Sequence, residues 1–488
     1  MNICQIAAEL TPFAKTGGLG DVAAGLSRYL GRTGHDVRLF VPCYAQIAAP
    51  SERAEPFVLV DFIQNVPIRM GDRTFHFSLI TCKLPASDVD VYFVYCPELF
   101  GQDGIYRGDQ EDGLRFAFLT RAALESCQRM GWSPHIVHCH DWHTALAPVY
   151  LKTLYSWDSL FHRTRSVLTI HNLGFQGIVD AGTLRRLGLA DHAGWFDRSD
   201  LASGMINFMK TGLHHADFIT AVSRTYAQEI RTKEDGFGLD WLLRHRGTQG
   251  RLQGIVNGCD YGEWNPATDP NIPHHYTAED LSGKAAMKQA LLQAVGMEST
   301  DVPVIGLVSR LTKQKGFDLC FDVLPSLLGR RDCRLVALGS GEDRYEQFFQ
   351  SLALYFPGKA WFYRGYNESL SHWIEAGADL FLMPSLFEPC GLNQMYSLRY
   401  GTPPVVRKTG GLADTVDLFD SGTGHGTGFV FDHFHSAGLR WALDYALDTY
   451  PHRETWERLM RNGMAKDYSW EVQGREYVEL YGRLAGSP

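Results

Sequence analysis

The sequence predicts an α/β protein with two doubly wound parallel sheets. Two observations carry this prediction: a strand, a glycine-rich segment and a helix follow one another near the start of the chain, and the same order returns after residue 300. The chain has 488 residues, too many for one ordinary hydrophobic core. We therefore expect two α/β domains, each with its own core.

The first half opens with the elements of a parallel sheet. The apolar stretch 3–8 predicts a buried strand, and the glycine-rich segment 15–20 follows it. Apolar side chains at helical spacing come next, at Val22, Leu26 and Leu30. Gly31 and Gly34 end this helix, and 37–41 reads as the next strand. The order is that of a βαβ element.

The second half repeats this construction. We expect a strand at 302–309, a loop at 311–316, a helix at 317–328 and a strand at 335–338. Further strand–helix pairs are expected at 379–383, with its helix after Gly391, and at 404–406, with a glycine loop behind it. The pentapeptide Lys-Thr-Gly-Gly-Leu occurs at 15–19 and again at 408–412. Coincidence and a common construction of the two halves are both open readings of this repeat.

The stretch 254–273 is rich in Gly, Asn, Asp and Pro, which indicates the connection between the halves. Ligands of open α/β sheets bind outside the carboxyl ends of the strands. Two such sheets facing one another would share a central cleft, which suits a transfer between two substrates.

Composition excludes several classes of protein. Hydrophobic residues make up 45% and charged residues 21%, as in a compact folded protein. Acids outnumber bases by 55 to 46, so nucleic acid is not an expected partner, whereas a neutral polysaccharide is compatible. The ten cysteines form no C-x-x-C pair, and no apolar run has the length of a signal or membrane segment. We expect a cytoplasmic enzyme with no membrane partner.

The glycine-rich segment is the first candidate site. Gly17, Gly18 and Gly20 let the backbone approach a phosphate, the following helix directs its N-terminal amides at the anion, and Lys15 adds a positive charge. The spacing matches neither G-x-G-x-x-G nor a Walker loop. A plain structural turn is therefore an equally good reading.

Two segments of the second half form a stronger candidate. Arg310 and Lys315 follow a predicted strand, where they could clamp a diphosphate; solvated loop charge is the alternative. Glu388 lies in a strand-to-helix loop, where a carboxylate can bind sugar hydroxyls or stabilise an oxocarbenium-like transition state. Its other reading is an acid at a helix N-terminus. Cys390 lacks an identifiable His partner, so a small buried thiol is favoured over a nucleophile.

Polar strand ends also occur in the first half. His138 and His140 share one face of a predicted strand, which suggests a metal pair, but no clear further ligands accompany them. Asp141 at the strand end, and the pair His171-Asn172 at the end of the next strand, suit sugar hydroxyls instead. The only Asp-x-Asp, at 88–90, reads as a turn entering a strand. Cations at the diphosphate would make a divalent ion unnecessary.

Seven motifs together closely resemble the bacterial glycogen synthase and plant starch synthase family, in order and spacing, over nearly the whole chain. They lie at 15–21, 138–143, 171–172, 257–258, 310–316, 388–394 and 409–412. The resemblance implies two Rossmann-like domains of the GT-B type, at 1–256 on the acceptor side and 257–465 on the nucleotide-sugar side, with a helix in 466–488 crossing back. It also implies a retaining transfer of glucose from ADP-glucose to an α-1,4-glucan, without metal or cofactor.

By matching positions, the resemblance implies roles for individual residues. The catalytic set would comprise Glu388, Arg310, Lys315, Asp141 and His171. Further donor-binding positions would be Lys15, Gly18, Asn172, Asn257, Cys390, Gly391, Leu392, Thr409 and Gly410. Positions on the acceptor side would be Glu9 and Asp21.

One position departs from the wider GT-B pattern. Many GT-B enzymes carry a second Glu eight residues after the first. In this chain Tyr396 stands at that position, and in this respect the chain resembles the glycogen synthase family. No role is therefore expected for a paired carboxylate. A GT-B enzyme with another donor or a small acceptor, and a catalytically silent glucan-binding protein, remain alternatives.

Overall fold

The structure is a computed structural model that describes residues 1–48, 58–102, 104–108 and 110–486. The chain divides into two compact units. The first unit comprises Met1–Val222, Ala227–Gly258 and Trp470–Pro488, and the second comprises Ser223–Tyr226 and Cys259–Ser469. In the described ranges, no helix has the length and apolar character that a membrane span requires.

The first unit is built on a large, mostly parallel sheet. Its strands and those of a small separate hairpin are β1 (Asn2–Ile6), β2 (Asp36–Pro42), β3 (Val60–Met70), β4 (Arg73–Lys83), β5 (Asp90–Tyr95), β6 (Ile136–His140), β7 (Arg165–Ile170), β8 (Ile178–Asp180), β9 (Met205–Asn207), β10 (Phe218–Ala221) and β11 (Leu252–Gly254). The main sheet has the order β11-β10-β7-β6-β1-β2-β5-β4-β3, and β8 pairs with β9. Pairing is parallel from β11 to β5, while β4 and β3 add an antiparallel edge. The carboxyl ends of β1, β6 and β7 therefore lie side by side.

The second unit holds an all-parallel sheet. Its strands are β12 (Val304–Leu311), β13 (Arg334–Gly341), β14 (Ala360–Arg364), β15 (Leu380–Met383), β16 (Pro404–Arg407) and β17 (Phe429–Phe431). Their order is β14-β13-β12-β15-β16-β17, so the chain reverses direction across the sheet between β12 and β15. Such a switch point is where loops diverge and ligands of α/β sheets bind.

Helices cover both sheets. In chain order they are α1 (Gly18–Arg32), α2 (Ala45–Ala48), α3 (Pro97–Phe100), α4 (Glu111–Arg129), α5 (Asp141–Thr144), α6 (Ala147–Lys152), α7 (Thr183–Arg186), α8 (Arg198–Ala202), α9 (Phe208–His215), α10 (Arg224–Glu229), α11 (Asp240–Thr248), α12 (Ser282–Ala294), α13 (Cys320–Arg330), α14 (Asp343–Tyr355), α15 (Glu368–Gly377), α16 (Asn393–Arg399), α17 (Gly410–Thr415), α18 (Ser436–Thr449), α19 (Arg453–Met464) and α20 (Trp470–Ala485). The central strands of the second unit are buried on both faces, because layers of helices lie on each side of a parallel sheet.

Helix α20 packs on α1 within the first unit. Small residues in α1 permit this close approach: a methyl group added at Gly25 would overlap the indole nitrogen of Trp470. Deeper in the unit, the hydroxyl of Tyr481 lies 2.7 Å from Nδ1 of His138. The domain bounds that the resemblance implies, with a helix in 466–488 crossing back to the first domain, stay a prediction.

Several predicted boundaries shift by a few residues. The glycine-rich segment is only partly a loop, because α1 already begins at Gly18. The expected loop 311–316 holds the last residue of β12 and a short 3-10 turn, Lys313–Lys315, and a second 3-10 turn delays α13 to Cys320. In both copies of the repeated pentapeptide a helix begins at a glycine, but at the second glycine in one and the first in the other.

Candidate functional site

In the first unit, the glycine-rich segment folds around an internal carboxylate. Glu9 accepts hydrogen bonds from the backbone amides of Thr16 at 2.7 Å and Gly17 at 3.1 Å, and from the hydroxyls of Thr16 and Tyr106. Glu9 is itself buried. The glycine-rich segment was predicted to bind a phosphate with its backbone, but the amides of Thr16 and Gly17 already bind the carboxylate of Glu9. The amides available to a ligand start at Gly18, where the helix begins.

Lys15 and Asp21 meet on the exposed side of the same segment. Their charged atoms lie 3.1 Å apart, and Thr11 also donates its hydroxyl to Asp21 at 2.6 Å. Gly20 leaves room for Lys15 beside Asp21, because a Cβ at position 20 would lie only 3.1 Å from Cβ of Lys15. The resemblance implies a donor-binding role for Lys15 and an acceptor-side role for Asp21. In the structure these two side chains form an ion pair.

Asp141 occupies a turn at the carboxyl end of β6. Its backbone is left-handed, with φ of 56°. The carboxylate accepts from the amides of His171 at 2.7 Å and Asn172 at 3.2 Å, so it joins the ends of β6 and β7. Burial raises the pKa of Asp141 to about 7, although these two amides act to lower it. The structure thus brings together three residues that the sequence singled out separately.

Behind Asp141, His171 belongs to a buried chain of hydrogen bonds. Its Nε2 lies 3.0 Å from Nδ1 of His140, whose Nε2 lies 3.0 Å from Oε1 of Gln5 on β1. Burial lowers the pKa of His140 to about 3 and that of His171 well below its usual range, so both rings are neutral. Because Oε1 of Gln5 can only accept a hydrogen bond, the proton of His140 lies on Nε2. His171 then donates from Nε2, and its Nδ1 is left as an acceptor.

His138 and His140 lie on one face of β6, as predicted, with ring centroids 4.3 Å apart. His138 contacts Thr169 at 2.6 Å and Tyr481 at 2.7 Å, so both of its ring nitrogens have partners inside the first unit. Asn257 is buried at the end of this unit, and its Oδ1 has no hydrogen-bond partner in the described residues. Such an acceptor is suited to a ligand donor.

The Asp-x-Asp at 88–90 leads into β5, whose first residue is Asp90, so the prediction of a turn entering a strand is confirmed. Lys83 contacts both ends of this Asp-x-Asp segment. Its Nζ donates to the carbonyl oxygen of Asp88 at 2.8 Å and lies 2.7 Å from the carboxylate of Asp90. The segment is therefore accounted for by local structure.

In the second unit, Lys315 and Glu388 form an ion pair at the switch point of the sheet. Nζ of Lys315 lies 2.6 Å from Oε2 of Glu388, and the hydroxyl of Ser385 donates to the same oxygen at 3.0 Å. Arg310, near the end of β12, is exposed. Glu388 is buried, and these contacts hold its carboxylate in the loop. Its alternative reading as an acid at a helix N-terminus finds no support in these contacts.

The loops that carry these side chains brace one another. The amide of Leu386 donates to the carbonyl oxygen of Gln314 at 2.9 Å. Gly316 has a φ of 74°, and a Cβ there would overlap the carbonyl oxygen of Pro384. The loop after β12 and the loop after β15 therefore act as one platform, which fixes Lys315 next to Glu388.

The glycine loop after β16 completes this platform. The amide of Gly411 donates to the carbonyl oxygen of Glu388 at 3.0 Å, and Gly410 has a φ of 43°. Methyl groups at Gly410 and Gly411 would overlap the backbone of Glu388 and Cys390. Thr409 is buried at the start of α17.

Cys390 is buried, as expected for a small structural thiol. Gly391 has a φ of 76°, which favours glycine, and Leu392 precedes the first turn of α16. Nε2 of Gln394 donates to the carbonyl oxygens of Cys390 at 3.1 Å and Gly391 at 3.0 Å. The amide side chain therefore sets the shape of the segment between Glu388 and α16.

The sequence did not show which residues position these groups: Gln5, Ser385 and, in this role, His140 and Gln394. Only their neighbours in space show what they do, although His140 was considered as half of a metal pair and Gln394 lies in a recognised motif. The sequence also did not show how Tyr396 is used. The Tyr396 ring stacks on Trp264 with centroids 4.2 Å apart and planes within 4°. The position of the absent second carboxylate is filled by an aromatic stack.

Comparisons with known proteins show the family of the chain. A family described as starch synthase catalytic domain matches residues 2–245, and glycosyl transferases group 1 matches residues 291–462. Glycogen synthase from Anaeromyxobacter dehalogenans strain 2CP-1 is 45% identical, covering 99% of both chains. Glycogen synthase from Koribacter versatilis is 41% identical, covering 99% of this chain and 98% of the other.

A solved structure is similar over the same extent. The catalytic domain of starch synthase IV from Arabidopsis thaliana, bound to ADP and acarbose, superposes with a TM-score of 0.91 at 35% identity, covering 99% of each chain. Two doubly wound units with cationic and acidic loops at the strand ends define a retaining glycosyltransferase of the GT-B type. The chain belongs to the family of bacterial glycogen synthases and plant starch synthases, and its function is glycogen or starch synthesis.

Proposed function

We propose that the protein transfers glucose from ADP-glucose to the non-reducing end of an α-1,4-glucan, with retention of configuration. The observation that carries this proposal is the Lys315–Glu388 pair at 2.6 Å, which joins a phosphate-binding cation to a carboxylate suited to a sugar. The Arabidopsis relative bound to ADP and acarbose supports an adenine nucleotide and a glucan-like oligosaccharide as ligands.

The second unit, from about 257 to 465, is assigned to the nucleotide sugar. Arg310 and Lys315 hold the diphosphate as charges rather than through a metal ion. Backbone groups of Cys390, Gly391, Leu392, Thr409 and Gly410 are assigned to the same donor, since these residues form the braced loops described above. Two cations neutralise the leaving group, so no divalent ion is required for the transfer.

The chemical step follows from the single carboxylate. The bond between C1 of glucose and the ADP oxygen breaks, and C1 bonds to the 4-hydroxyl oxygen of the acceptor on the same face. The proton of that hydroxyl passes to the departing phosphate. Glu388 faces the positive charge that develops at C1, which lowers the energy of the transition state. A covalent intermediate would need a second carboxylate near it, and Tyr396 occupies the sequence position where many GT-B enzymes have one.

The first unit, assigned to 1–256 and the helix in 466–488, supplies groups for the sugar and the acceptor. Asp141, His171 and Asn172 are assigned to the glucose, because one carboxylate already holds the other two in place. Lys15, the Gly18 amide and Asn257 are assigned to the donor. Glu9 and Asp21 are assigned to the acceptor side, with Glu9 acting through the segment that it holds.

We place the reaction in the cytoplasm, because the ten cysteines are scattered along the chain with no C-x-x-C pair, a pattern typical of an intracellular protein. The partners that we propose are ADP-glucose and the glucan, with neither nucleic acid nor a membrane.

A donor panel tests the proposal. ADP-, UDP- and GDP-glucose are each incubated with glycogen, and the released nucleotide is measured with and without EDTA. We expect the highest kcat/KM with ADP-glucose and the same rate in EDTA. A higher kcat/KM with UDP-glucose would identify the alternative donor, and no release with any donor would identify a silent glucan-binding protein. Complete loss in EDTA that magnesium restores would contradict the metal-free step.

A further inference from the structure

Three side chains with metal-binding atoms converge in the second unit, on elements that the transfer does not use. Helix α15 carries Glu368 and His372 one turn apart, which puts both on one face. Glu263 comes from the segment that opens the unit. One ligand atom of each of the three lies within 4.8 Å of the other two.

The imidazole of His372 is oriented by a buried carboxylate. Its Nδ1 lies 2.7 Å from Oδ2 of Asp269, and both side chains are inaccessible to solvent. Tyr400 donates to the same oxygen at 2.6 Å, and the amide of Asn271 donates to Oδ1 at 2.8 Å. An ionised carboxylate only accepts hydrogen bonds, so Nδ1 of His372 carries the proton. Burial acts to lower the pKa of His372, but its contacts with Asp269 and Glu368 raise that pKa to about 9, so without a metal ion Nε2 also carries a proton.

Nε2 of His372 faces the carboxylate of Glu368. It is buried and has no hydrogen-bond partner by geometry in the described part of the chain, and Oε1 of Glu368 lies 3.5 Å from it. A lone pair facing a carboxylate oxygen is repulsive unless a cation lies between them. The cation is either a proton on Nε2 or a bound metal ion.

The separation favours the metal. A charge-assisted N–H···O bond would bring the two atoms to about 2.7–2.9 Å. Two ligands about 2.1 Å from a common ion lie about 3.4 Å apart at a tetrahedral angle. A carboxylate that orients a histidine through its other nitrogen is also the usual support of a metal ligand. We propose that Glu263, Glu368 and His372 bind one divalent metal ion of the zinc type, with Asp269 orienting His372.

The ion would stabilise the second unit without entering the reaction. Trp264, the neighbour of Glu263, stacks on His372 with centroids 3.8 Å apart and on Tyr396 with centroids 4.2 Å apart. Tyr396 belongs to α16, the helix that follows the loop of Glu388. A metal ion that fixes Glu263 to α15 thus holds Trp264 in the stack that supports this helix. Two carboxylates balance the charge of the ion, and the imidazole ligand disfavours magnesium.

The test compares the full-length protein with Glu263→Gln, which keeps the size of an exposed side chain and removes one ligand. Glu298→Gln is the matched control, because Glu298 is an exposed acid of the same unit outside the cluster. Each metal-free protein is titrated with Zn²⁺ by calorimetry and with Co²⁺ by its visible absorption. Melting temperature and glucosyl transfer are measured with and without Zn²⁺.

We expect one ion per chain in the wild type and in Glu298→Gln, with affinity at least about tenfold weaker in Glu263→Gln. Zn²⁺ should raise Tm in the first two proteins and not in Glu263→Gln, because only a ligand of the folded state stabilises it. The transfer rate at low temperature should be equal in all three. Zn²⁺ binding that is absent, or is the same in Glu263→Gln, overturns the site and leaves His372 as an imidazolium between two carboxylates. Neither result bears on the donor panel.

Discussion

Replacing Glu388 by Gln isolates the charge of the carboxylate from its shape. In the folded protein this carboxylate accepts from Lys315 at 2.6 Å and from Ser385 at 3.0 Å. Gln keeps an oxygen that can accept from both donors, but it carries no negative charge. The substitution therefore removes the electrostatic effect on a developing positive charge at C1, while most of the packing of the loop is retained.

The structure sets the expected magnitudes. The side chain of Glu388 is 6% exposed and that of Lys315 is 19% exposed, so the pair is only partly screened by water. A hydrogen bond to a charged group contributes about 1.5–3 kcal/mol, and since Gln retains part of it we expect the free energy of unfolding to fall by about 1–2 kcal/mol. Losing transition-state electrostatics should lower kcat by about 10² or more.

Binding of ADP should change in the opposite direction. In the free enzyme Glu388 and the phosphates compete for the ammonium of Lys315. Without the carboxylate, Lys315 interacts with the diphosphate alone, so we expect ADP affinity to be equal or up to about tenfold higher, a gain of about 1.4 kcal/mol.

Three measurements decide the case: ADP affinity by calorimetry, kcat by nucleotide release with glycogen, and Tm by differential scanning calorimetry. Lys313→Gln is the matched control, since Lys313 is an exposed cation of the same loop; it should change none of the three by much. If Glu388→Gln keeps its kcat and loses only thermal stability, Glu388 is a structural acid and the reasoning is wrong.

Three further substitutions test how the site is held. Gln5→Leu removes the acceptor of His140, so we expect the imidazole ¹⁵N shifts of His171 to report a changed tautomer. We also expect kcat to fall on the order of tenfold, with ADP affinity unchanged. Unchanged ¹⁵N shifts would contradict the hydrogen bonds that join Gln5, His140 and His171. Gly410→Ala should lower both kcat and Tm, because a left-handed backbone with a Cβ costs about 1–2 kcal/mol and the methyl group would overlap the Glu388 carbonyl; Gly329→Ala, where nothing lies within 4 Å, should be neutral or stabilising. Asp141→Asn should raise Tm more at pH 8 than at pH 5, since burial raises the pKa of Asp141 to about 7.

The sign of the last prediction follows from proton binding. Folded Asp141 holds its proton more tightly than the unfolded chain does, so wild-type stability falls as the pH rises from about 4 towards 7 and is level above that range. Asn does not titrate, so the Asp141→Asn variant does not lose this stability as the pH rises. A larger Tm gain at pH 5 than at pH 8 would show that the carboxylate is not destabilised by burial.

Local pattern predicted most of the fold. Strand, glycine segment and helix recur in both halves because apolar periodicity and glycine placement are local properties, and β1, α1 and β2 lie within a few residues of their expected ends. The shared face of His138 and His140 followed in the same way from the alternation of a strand. The antiparallel edge of β3 and β4 was not predicted.

The site depended on topology, which a single sequence does not contain. Lys315 and Glu388 were each singled out, but their pairing requires β12 to lie beside β15 although two strands separate them in the chain. Glu9 was expected on the acceptor side, and its bonds to the glycine segment depend on how the chain turns back after β1. The hydrogen bonds that join Gln5, His140 and His171 were not predicted, because a buried strand conceals which neighbour each polar side chain will meet.

The packing of α20 against α1 has a consequence for how the protein is made. The first unit contains Trp470 against Gly25 and Tyr481 beside His138, and a ribosome adds these partners only after it has synthesised the entire second unit. Until then the nascent first unit exposes an apolar face on α1 that α20 will later cover. We therefore expect the second unit to complete its own fold earlier during translation, and chaperones to engage the unfinished first unit at the surface of α1.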